Sequence, residues 1–248
     1  MLKLLPLCLI LFVLGCAHAG PDRLTREQTD IRLDLAERYL IEGESRLALE
    51  QLRTVDRVAP HNPRLHFNLG LAYTALEEWE NAAGSFKQAL KIRPDYGEAW
   101  NNLGQVRMAQ GRPDQARQAY KQALAQKEYM TPEFAAYNLA SLYYGQEELE
   151  EALKYAQESF RKNRRFGPGY VLAGRIHREK RMYAKALHTF EQGVRARPDN
   201  AQLTLLLAEE LVRSGRINEA RQWFNRVVEI DGDSSEAQLA EYYLEALR

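Results

Sequence analysis

Apolar and small residues recur along most of this chain at a constant spacing. The segments "NLGLAY" (68–73), "NLGQVR" (102–107) and "NLASLY" (138–143) align with one another, each with a small residue at the same place. That residue belongs to a series with steps of 34, 34, 36, 34 and 34 residues, namely Ala36, Gly70, Gly104, Ala140, Gly174 and Ala208. A period of 34 leaves about 17 residues for each helix and its turn, which predicts two antiparallel helices per unit.

Other positions of the unit follow the same period. When the small residue is numbered position 8, position 20 is always alanine: Ala48, Ala82, Ala116, Ala152, Ala186 and Ala220. Small side chains at both places let the paired helices approach within about 8–10 Å. Large core residues are predicted at positions 7 and 24, which are Leu35, Leu69, Leu103, Leu139 and Leu207, and Leu52, Phe86, Tyr120, Phe190 and Phe224. Gly43, Gly111 and Gly215 are predicted to form turns within units, and Pro60, Pro94 and Pro198 to end second helices.

These positions identify the units as similar to the tetratricopeptide repeat. The resemblance implies an all-α, right-handed superhelical solenoid of six repeats, with "SSEAQLAEYYLEALR" as a C-terminal capping helix over the last apolar face. The expected repeats are 29–62, 63–96, 97–130, 133–166, 167–200 and 201–234, followed by the capping helix at 235–248. Two extra residues near "KEYMTPEF" lengthen the link between repeats three and four, where we expect a bend or a partner contact.

The N-terminal segment has a different pattern. Lys3 precedes an unbroken apolar run over residues 4–14, which is shorter than the roughly 20 residues that span a bilayer and is typical of an export signal. The sequence Val13-Leu14-Gly15-Cys16 resembles the bacterial lipobox, which implies a signal peptide at 1–15 and a covalent lipid on Cys16. A polar tether would follow, giving a lipidated cysteine and tether at 16–28. The alternative is cleavage after Ala19, at Ala17-His18-Ala19, which would release a soluble periplasmic protein.

The charge balance and the motifs of the sequence argue against several classes of function. The chain has 34 Lys and Arg against 34 Asp and Glu, so it has no overall basic field for nucleic acid. The sequence contains no HExxH, GxSxG, GxxxxGK[ST] or paired CxxC motif, and its five histidines have no metal-ligand spacing. We therefore expect a non-enzymatic protein with no cofactor other than the lipid, no metal site and no small-molecule substrate.

By resemblance to the family, the first helices line a concave binding surface. The residues expected there over repeats two to four are Arg64, Phe67, Asn68, Leu71, Asn101, Asn102, Gln105, Met108, Tyr137, Asn138, Ser141 and Tyr144. Asn68, Asn102 and Asn138 share one repeat position, and such a ladder of amides can pair with an extended peptide backbone. The other interpretation is that asparagine is simply common at this position.

Repeat five departs from the pattern in two ways. His177 occupies a packing position that holds tyrosine in three other repeats, and we expect it to be a hydrogen-bonded core residue rather than a ligand. Basic residues also gather around this repeat: Arg161, Lys162, Arg164, Arg165, Arg175, Arg178, Lys180 and Arg181. We interpret them as a solvated charged face, with an acidic partner or lipid headgroups as the alternative.

Lipid attachment, tether, six repeats, the two-residue extension after repeat three and the capping helix together resemble outer-membrane lipoproteins of the PilF/PilW type, the type IV pilus pilotins. The resemblance implies a lipid-anchored protein at the outer membrane, facing the periplasm, whose partner is a subunit of the pilus secretin. Two alternatives remain open: an adaptor lipoprotein that docks cell-wall hydrolases, and a component of outer-membrane protein assembly.

Overall fold

The computed structural model describes residues 24–247, which form thirteen α-helices and no strand. The signal segment, Cys16 and most of the predicted tether lie outside the described residues. Six helix pairs follow one another: α1 (Arg26–Ile41) with α2 (Ser45–Asp56), α3 (Pro63–Ala75) with α4 (Trp79–Ile92), α5 (Gly97–Ala109) with α6 (Pro113–Ala125), α7 (Pro132–Gly145) with α8 (Leu149–Lys162), α9 (Gly167–Glu179) with α10 (Tyr183–Ala196), and α11 (Ala201–Arg213) with α12 (Ile217–Ile230). Helix α13 (Ser235–Ala246) ends the fold.

The first helix begins three residues before the predicted start of repeat one. Thr25 is its N-cap, and the hydroxyl of Thr25 accepts from the Gln28 backbone N–H while the Gln28 side chain accepts from the Thr25 backbone N–H. This reciprocal capping satisfies two helix-end donors at once and fixes the start of α1 at Arg26. Residues 26–28 are therefore helix rather than tether.

Each helix pair turns at the same repeat position, and each turn uses a left-handed residue. Gly43, Gly111 and Gly215 have φ angles of 80°, 68° and 77°, which confirms the predicted glycine turns. The other three turns place Glu77, Glu147 and Arg181 at φ angles of 58°, 60° and 58°. A residue with a Cβ is less favourable in this conformation, so the packing of the two helices imposes the turn there without help from glycine.

The predicted pairing of small and large residues holds within the repeats. A Cβ added to Gly70 would lie 2.5 Å from the Phe86 ring, and one added to Gly174 would lie 2.2 Å from the Phe190 ring. Repeat four is an exception at position 24, where Ala156 takes the place of a large residue, and both Ala156 and Ala140 are fully buried. Glycine leaves room for the ring in repeats two and five, whereas repeat six combines Ala208 with Phe224, both fully buried, so its ring accommodates a Cβ at this position.

The stacking of repeats creates two different faces. Each first helix contacts the first helix of the next repeat, whereas no two consecutive second helices of the described chain come into contact. The second helices therefore splay apart, and the first helices line the inner, concave face. Helix α13 packs on both α11 and α12, with Tyr243 stacked on Phe224 at 4.8 Å between ring centroids, so it covers the last repeat as a cap.

The lengthened link between repeats three and four has a packing role. Tyr129 is buried, and its side chain lies over Gly97, whose added Cβ would come within 2.5 Å of the tyrosine. With Ala123 and Ala135 it forms a small core of its own between repeats three and four. The next residue, Met130, is exposed. The extension therefore fills a gap at this junction.

Candidate functional site

The candidate site is the concave face of α3, α5 and α7. The predicted groove residues differ in exposure: Gln105, Met108 and Ser141 are exposed, Arg64, Phe67, Leu71, Asn102, Tyr137, Asn138 and Tyr144 are half-buried, and Asn68 and Asn101 are buried. The exposed members belong to repeats three and four. The surface that a ligand could contact on this face is therefore greatest in the middle of the solenoid.

Arg64 and Asn68 already bind side chains of repeat one. The Arg64 guanidinium donates to both oxygens of Glu37, each at 2.6 Å, and to Asp34 at 2.5 Å. The Asn68 amide, 1% exposed, donates to Glu37 Oε1 at 2.9 Å. The hydrogen bond from Arg64 is the main reason that the pKa of Glu37 is lowered. These groups join repeats one and two, and that junction has a fixed, charge-paired geometry.

The asparagine ladder is also used within the chain. Asn138 Nδ2 donates to Asn101 Oδ1 at 2.9 Å, across repeats three and four. Asn102 Nδ2 donates to the Glu98 carbonyl at 2.8 Å, one turn back in its own helix. Asn102 and Asn138, both half-buried, thus each retain one N–H and the carbonyl oxygen for a ligand, whereas Asn68 is buried. The proposed pairing of this ladder with a peptide stays a prediction.

Aromatic residues line the same face. Phe67 packs against Tyr96 with 4.8 Å between ring centroids, and Tyr137 packs edge-on against Phe166 at 5.6 Å. Phe134 also lies against Phe166, at 5.1 Å, and is 46% exposed. The sequence analysis missed Phe134, although it occupies the repeat position that placed Arg64 in the groove. Exposed aromatic surface of this kind is a common anchor for peptide side chains.

The packing position that holds His177 in repeat five holds Arg107 in repeat three, and both residues are buried. Arg107 is 5% exposed, and its Nη1 donates to Gln110 Oε1 at 2.6 Å. His177 is also 5% exposed, and burial is the main cause of its lowered pKa. Its Nδ1 has no hydrogen-bond partner among the described residues. The prediction of a core histidine is right about burial and wrong about the hydrogen bond at this atom.

The basic residues of repeat five do not form one cluster. Arg178 pairs with Glu209 and Glu210 of repeat six, and Lys180 pairs with Glu150 of repeat four. Arg161, Arg164 and Arg165 are exposed and have no ion-pair partner in the described part of the chain. Paired residues such as Arg178 and Lys180 therefore link neighbouring repeats. The exposed arginines that have no ion pair remain available to a ligand.

Two further properties of residues 24–247 bear on function. No helix in this range combines the length and apolar character needed to cross a membrane. No group of three or more histidine, cysteine or acidic side chains within it could hold a metal ion.

Paired helices at a 34-residue period, small residues under aromatic rings and a terminal cap define a helical-repeat scaffold. Two family profiles, both described as tetratricopeptide repeat, match it: one at residues 33–97 and 101–168, the other at 73–128 and 177–242. The chain belongs to the tetratricopeptide repeat family.

Solved structures and curated sequences show the same repeat. Pseudomonas aeruginosa PilF has a TM-score of 0.71 and 21% identity, covering 88% of this chain and 98% of that one. PilW, described as a widely conserved type IV pilus biogenesis factor, has a TM-score of 0.69 and 23% identity over 88% of this chain and all of that one (100%). The peroxisomal targeting signal receptor of Eremothecium gossypii is 36% identical over 111 residues, which are 44% of this chain and 18% of the receptor. The chain thus spans less than a fifth of that relative's length.

Proposed function

We propose that this protein is a non-catalytic scaffold that binds a protein partner, and that it acts as a pilotin for the secretin of a type IV pilus. The observation that carries this proposal is the extent of the likeness to PilF and PilW, which covers 98% and 100% of those chains. A likeness of that extent covers nearly the whole of both solved chains rather than a single repeat. PilW is a type IV pilus biogenesis factor by its description.

The proposal includes a lipid anchor on Cys16. Acyl chains contribute about 0.8 kcal/mol per buried methylene group, so several chains on one cysteine give an anchor that is effectively permanent. Because α1 begins at Arg26, nine residues separate Cys16 from the first helix. Fully extended, they reach about 30 Å. The anchored protein would face the periplasm from the outer membrane, with its solenoid close to the lipid surface.

The physical task of a pilotin explains why a scaffold suits it. A secretin subunit that crosses the periplasm exposes unpaired strand edges and membrane-directed apolar surface, both of which favour aggregation. A groove that covers one segment of the subunit lowers that risk. An anchor at the target membrane raises the local concentration of the bound subunit, so assembly becomes close to intramolecular.

Deletion of the gene tests the pilotin role. The expected result is abundant secretin monomer with loss of detergent-resistant secretin multimers and of surface pili, at unchanged pilin synthesis. A deletion strain with normal multimers and altered cell shape or wall composition would favour the hydrolase adaptor instead. Defects in many outer-membrane proteins at once would favour a general assembly factor.

The anchor is tested separately by Cys16→Ala. This variant should lose labelling by a fatty-acid analogue and should restore multimers in the deletion strain poorly or at the wrong membrane. Labelling equal to that of the natural protein would end the lipid proposal.

Photocrosslinking locates the partner on the concave face. A photoreactive residue at Gln105, Met108 or Ser141, all exposed on first helices, should capture the secretin in living cells. Matched positions on second helices, Lys87 and Gln118, are also exposed and should capture little. Capture only from the second helices would show that the concave-face assignment is wrong.

A further inference from the structure

A groove runs along the convex side of the solenoid between α8 and α10. It consists of two adjoining cavities of ≈630 and ≈530 Å³, which share Phe160, Arg161 and Gln192 and so form one channel. We name it the convex groove. One end is lined by Leu153 of α8 and Ala184 of α10, and the other by arginines. Its walls belong to second helices, so it is separate from the concave face.

The floor of the convex groove comes from α9. His177 lies beneath its apolar end and Tyr170 beneath its basic end, and each is 5% exposed. Tyr170 stacks on Phe160 with 4.1 Å between ring centroids. The buried Nδ1 of His177 has no partner in the described chain.

The basic end of the convex groove has a concentrated charge that is not bound in ion pairs. Arg161, Arg164, Arg165 and Arg195 line it, all exposed, and none forms an ion pair with a described residue. Neighbouring cations behave differently: Arg197 pairs with Asp199 and Arg178 pairs with two glutamates. Four arginines around one cavity, each with a planar fork of donors, match the geometry of carboxylates.

The dimensions fit an extended peptide. Leu153 and Arg161 are eight residues apart on α8, which is about 12 Å along the helix. An extended chain covers that length with about four residues. A membrane surface fits less well, because headgroups on a flat surface would meet the exposed arginines but not the buried floor at His177 and Tyr170.

We propose that the convex groove is a second binding site of this protein, which takes a short extended peptide segment with carboxylates at one end and an apolar residue at the other. The carboxylates lie against Arg161, Arg164, Arg165 and Arg195, and the apolar side chain lies between Leu153 and Ala184 over His177. This site does not depend on what the concave face binds.

The proposal is tested with the purified protein and a fluorescein-labelled peptide of three glutamates followed by leucine and phenylalanine. Substituting Arg164, Arg165 and Arg195 by glutamine should raise the Kd of this peptide at least tenfold. The matched control substitutes Arg46, Arg53 and Arg57, three exposed arginines of α2 and its C-cap, and should leave the Kd within twofold. A peptide with lysines in place of glutamates should not bind.

A second variant blocks the apolar end without changing charge. Ala184 is exposed and lines the cavity, so Ala184→Trp should fill it and raise the Kd at least tenfold. Asn218→Trp at the equivalent position of α12 should have no effect. The proposal is overturned if the natural protein does not bind the peptide, if the α2 control loses as much affinity, or if Ala184→Trp binds normally. Sedimentation with phosphatidylglycerol vesicles that depends on the arginines but not on Ala184 would assign the arginines to a membrane surface instead.

Discussion

The junction between repeats one and two and the junction between repeats four and five use charged side chains in opposite ways. At the first, Arg64 and Asn68 bind Glu37, and the donors that face the concave side are largely satisfied within the chain. At the second, four arginines line a groove without ion-pair partners among the described residues, and the buried Nδ1 of His177 beneath it has no hydrogen-bond partner there. Residue type alone therefore does not identify a binding surface, since the amides and cations of the first junction already bind side chains of the same chain.

The largest expected effect compares the packing inside repeat two and inside repeat five, one repeat from each junction. We expect this packing to be the same in both, although the junctions differ. Gly70→Ala and Gly174→Ala each place a methyl group inside 3 Å of a fully buried ring, Phe86 or Phe190. Overpacking of this kind should lower the free energy of unfolding by about 3 kcal/mol in either repeat. Urea denaturation followed by circular dichroism measures it.

Repeat one supplies a rescue for the same experiment. It combines Ala36 with Leu52, both fully buried, so a smaller residue at position 24 accommodates alanine at position 8. Gly70→Ala with Phe86→Leu should therefore recover much of the stability lost by Gly70→Ala alone. A double variant that is less stable than the single one would show that the ring contact is not the cause.

Glu37→Ala should break the first junction selectively. It leaves the buried Asn68 amide and the half-buried Arg64 without their main acceptor, which should cost about 1–2 kcal/mol of unfolding free energy after allowance for solvent screening of Arg64. Asp34→Ala is the matched control, because Asp34 is exposed and bonds only Arg64. An equal loss in both variants would argue against a specific role for Glu37.

The same junction should respond to acid. The pKa of Glu37 is lowered, chiefly by its hydrogen bond with Arg64, so the folded chain binds fewer protons than the unfolded chain near the ordinary pKa of 4.5. The stabilisation is complete above pH 4.5 and is lost as pH falls through the lower folded pKa. Glu37→Ala should lack this part of the acid dependence in denaturation curves measured from pH 6 downward.

His177→Leu should act in the opposite direction at the second junction. Removing a buried ring nitrogen that has no partner should raise the free energy of unfolding at pH 7.5 by about 1 kcal/mol. Burial lowers the pKa of His177 below 6.5, so the natural protein loses stability as pH falls below that value, and the variant should lose less. A variant that is less stable at pH 7.5, with an unchanged acid response, would mean that His177 packs as an ordinary core residue.

Much of the fold is predictable from the sequence because its causes are local and repeated. Gly43, Gly111 and Gly215 identify turns since only glycine adopts their backbone angles without strain. The predicted tether extends three residues too far, to residue 28, because the Thr25 capping box lies before the repeat pattern begins. Leu33, fully buried in repeat one, was not among the predicted core positions, while the predicted Leu35 is only half-buried. A single repeat template does not predict that, in the terminal repeat, the fully buried leucine lies two positions before the expected one.

The candidate site is less predictable, since it depends on pairs far apart in sequence. Asn68 meets Glu37 from 31 residues away, and Asn138 meets Asn101 from 37 residues away. Phe134 could have been found by applying the groove positions uniformly to repeat four. The sequence shows the basic cluster that supplies three of the convex groove's arginines but not the groove itself, because α8, the loop after it, α9 and α10 meet only through the stacking of repeats.

The smallest expected effect concerns the arginines themselves. Substituting Arg161, Arg164, Arg165 and Arg195 by glutamine removes exposed charges that have no ion-pair partner among residues 24–247, so the free energy of unfolding should change by less than about 0.5 kcal/mol. Their mutual repulsion, although weak at exposed positions, should even make the variant slightly more stable at low salt, and this difference should vanish as ionic strength rises. Urea titrations at about 20 mM and about 500 mM NaCl, well below and well above physiological ionic strength, measure both quantities. A loss above about 1 kcal/mol would place these arginines with Arg64, as groups that hold repeats together, and would remove the difference between the two junctions.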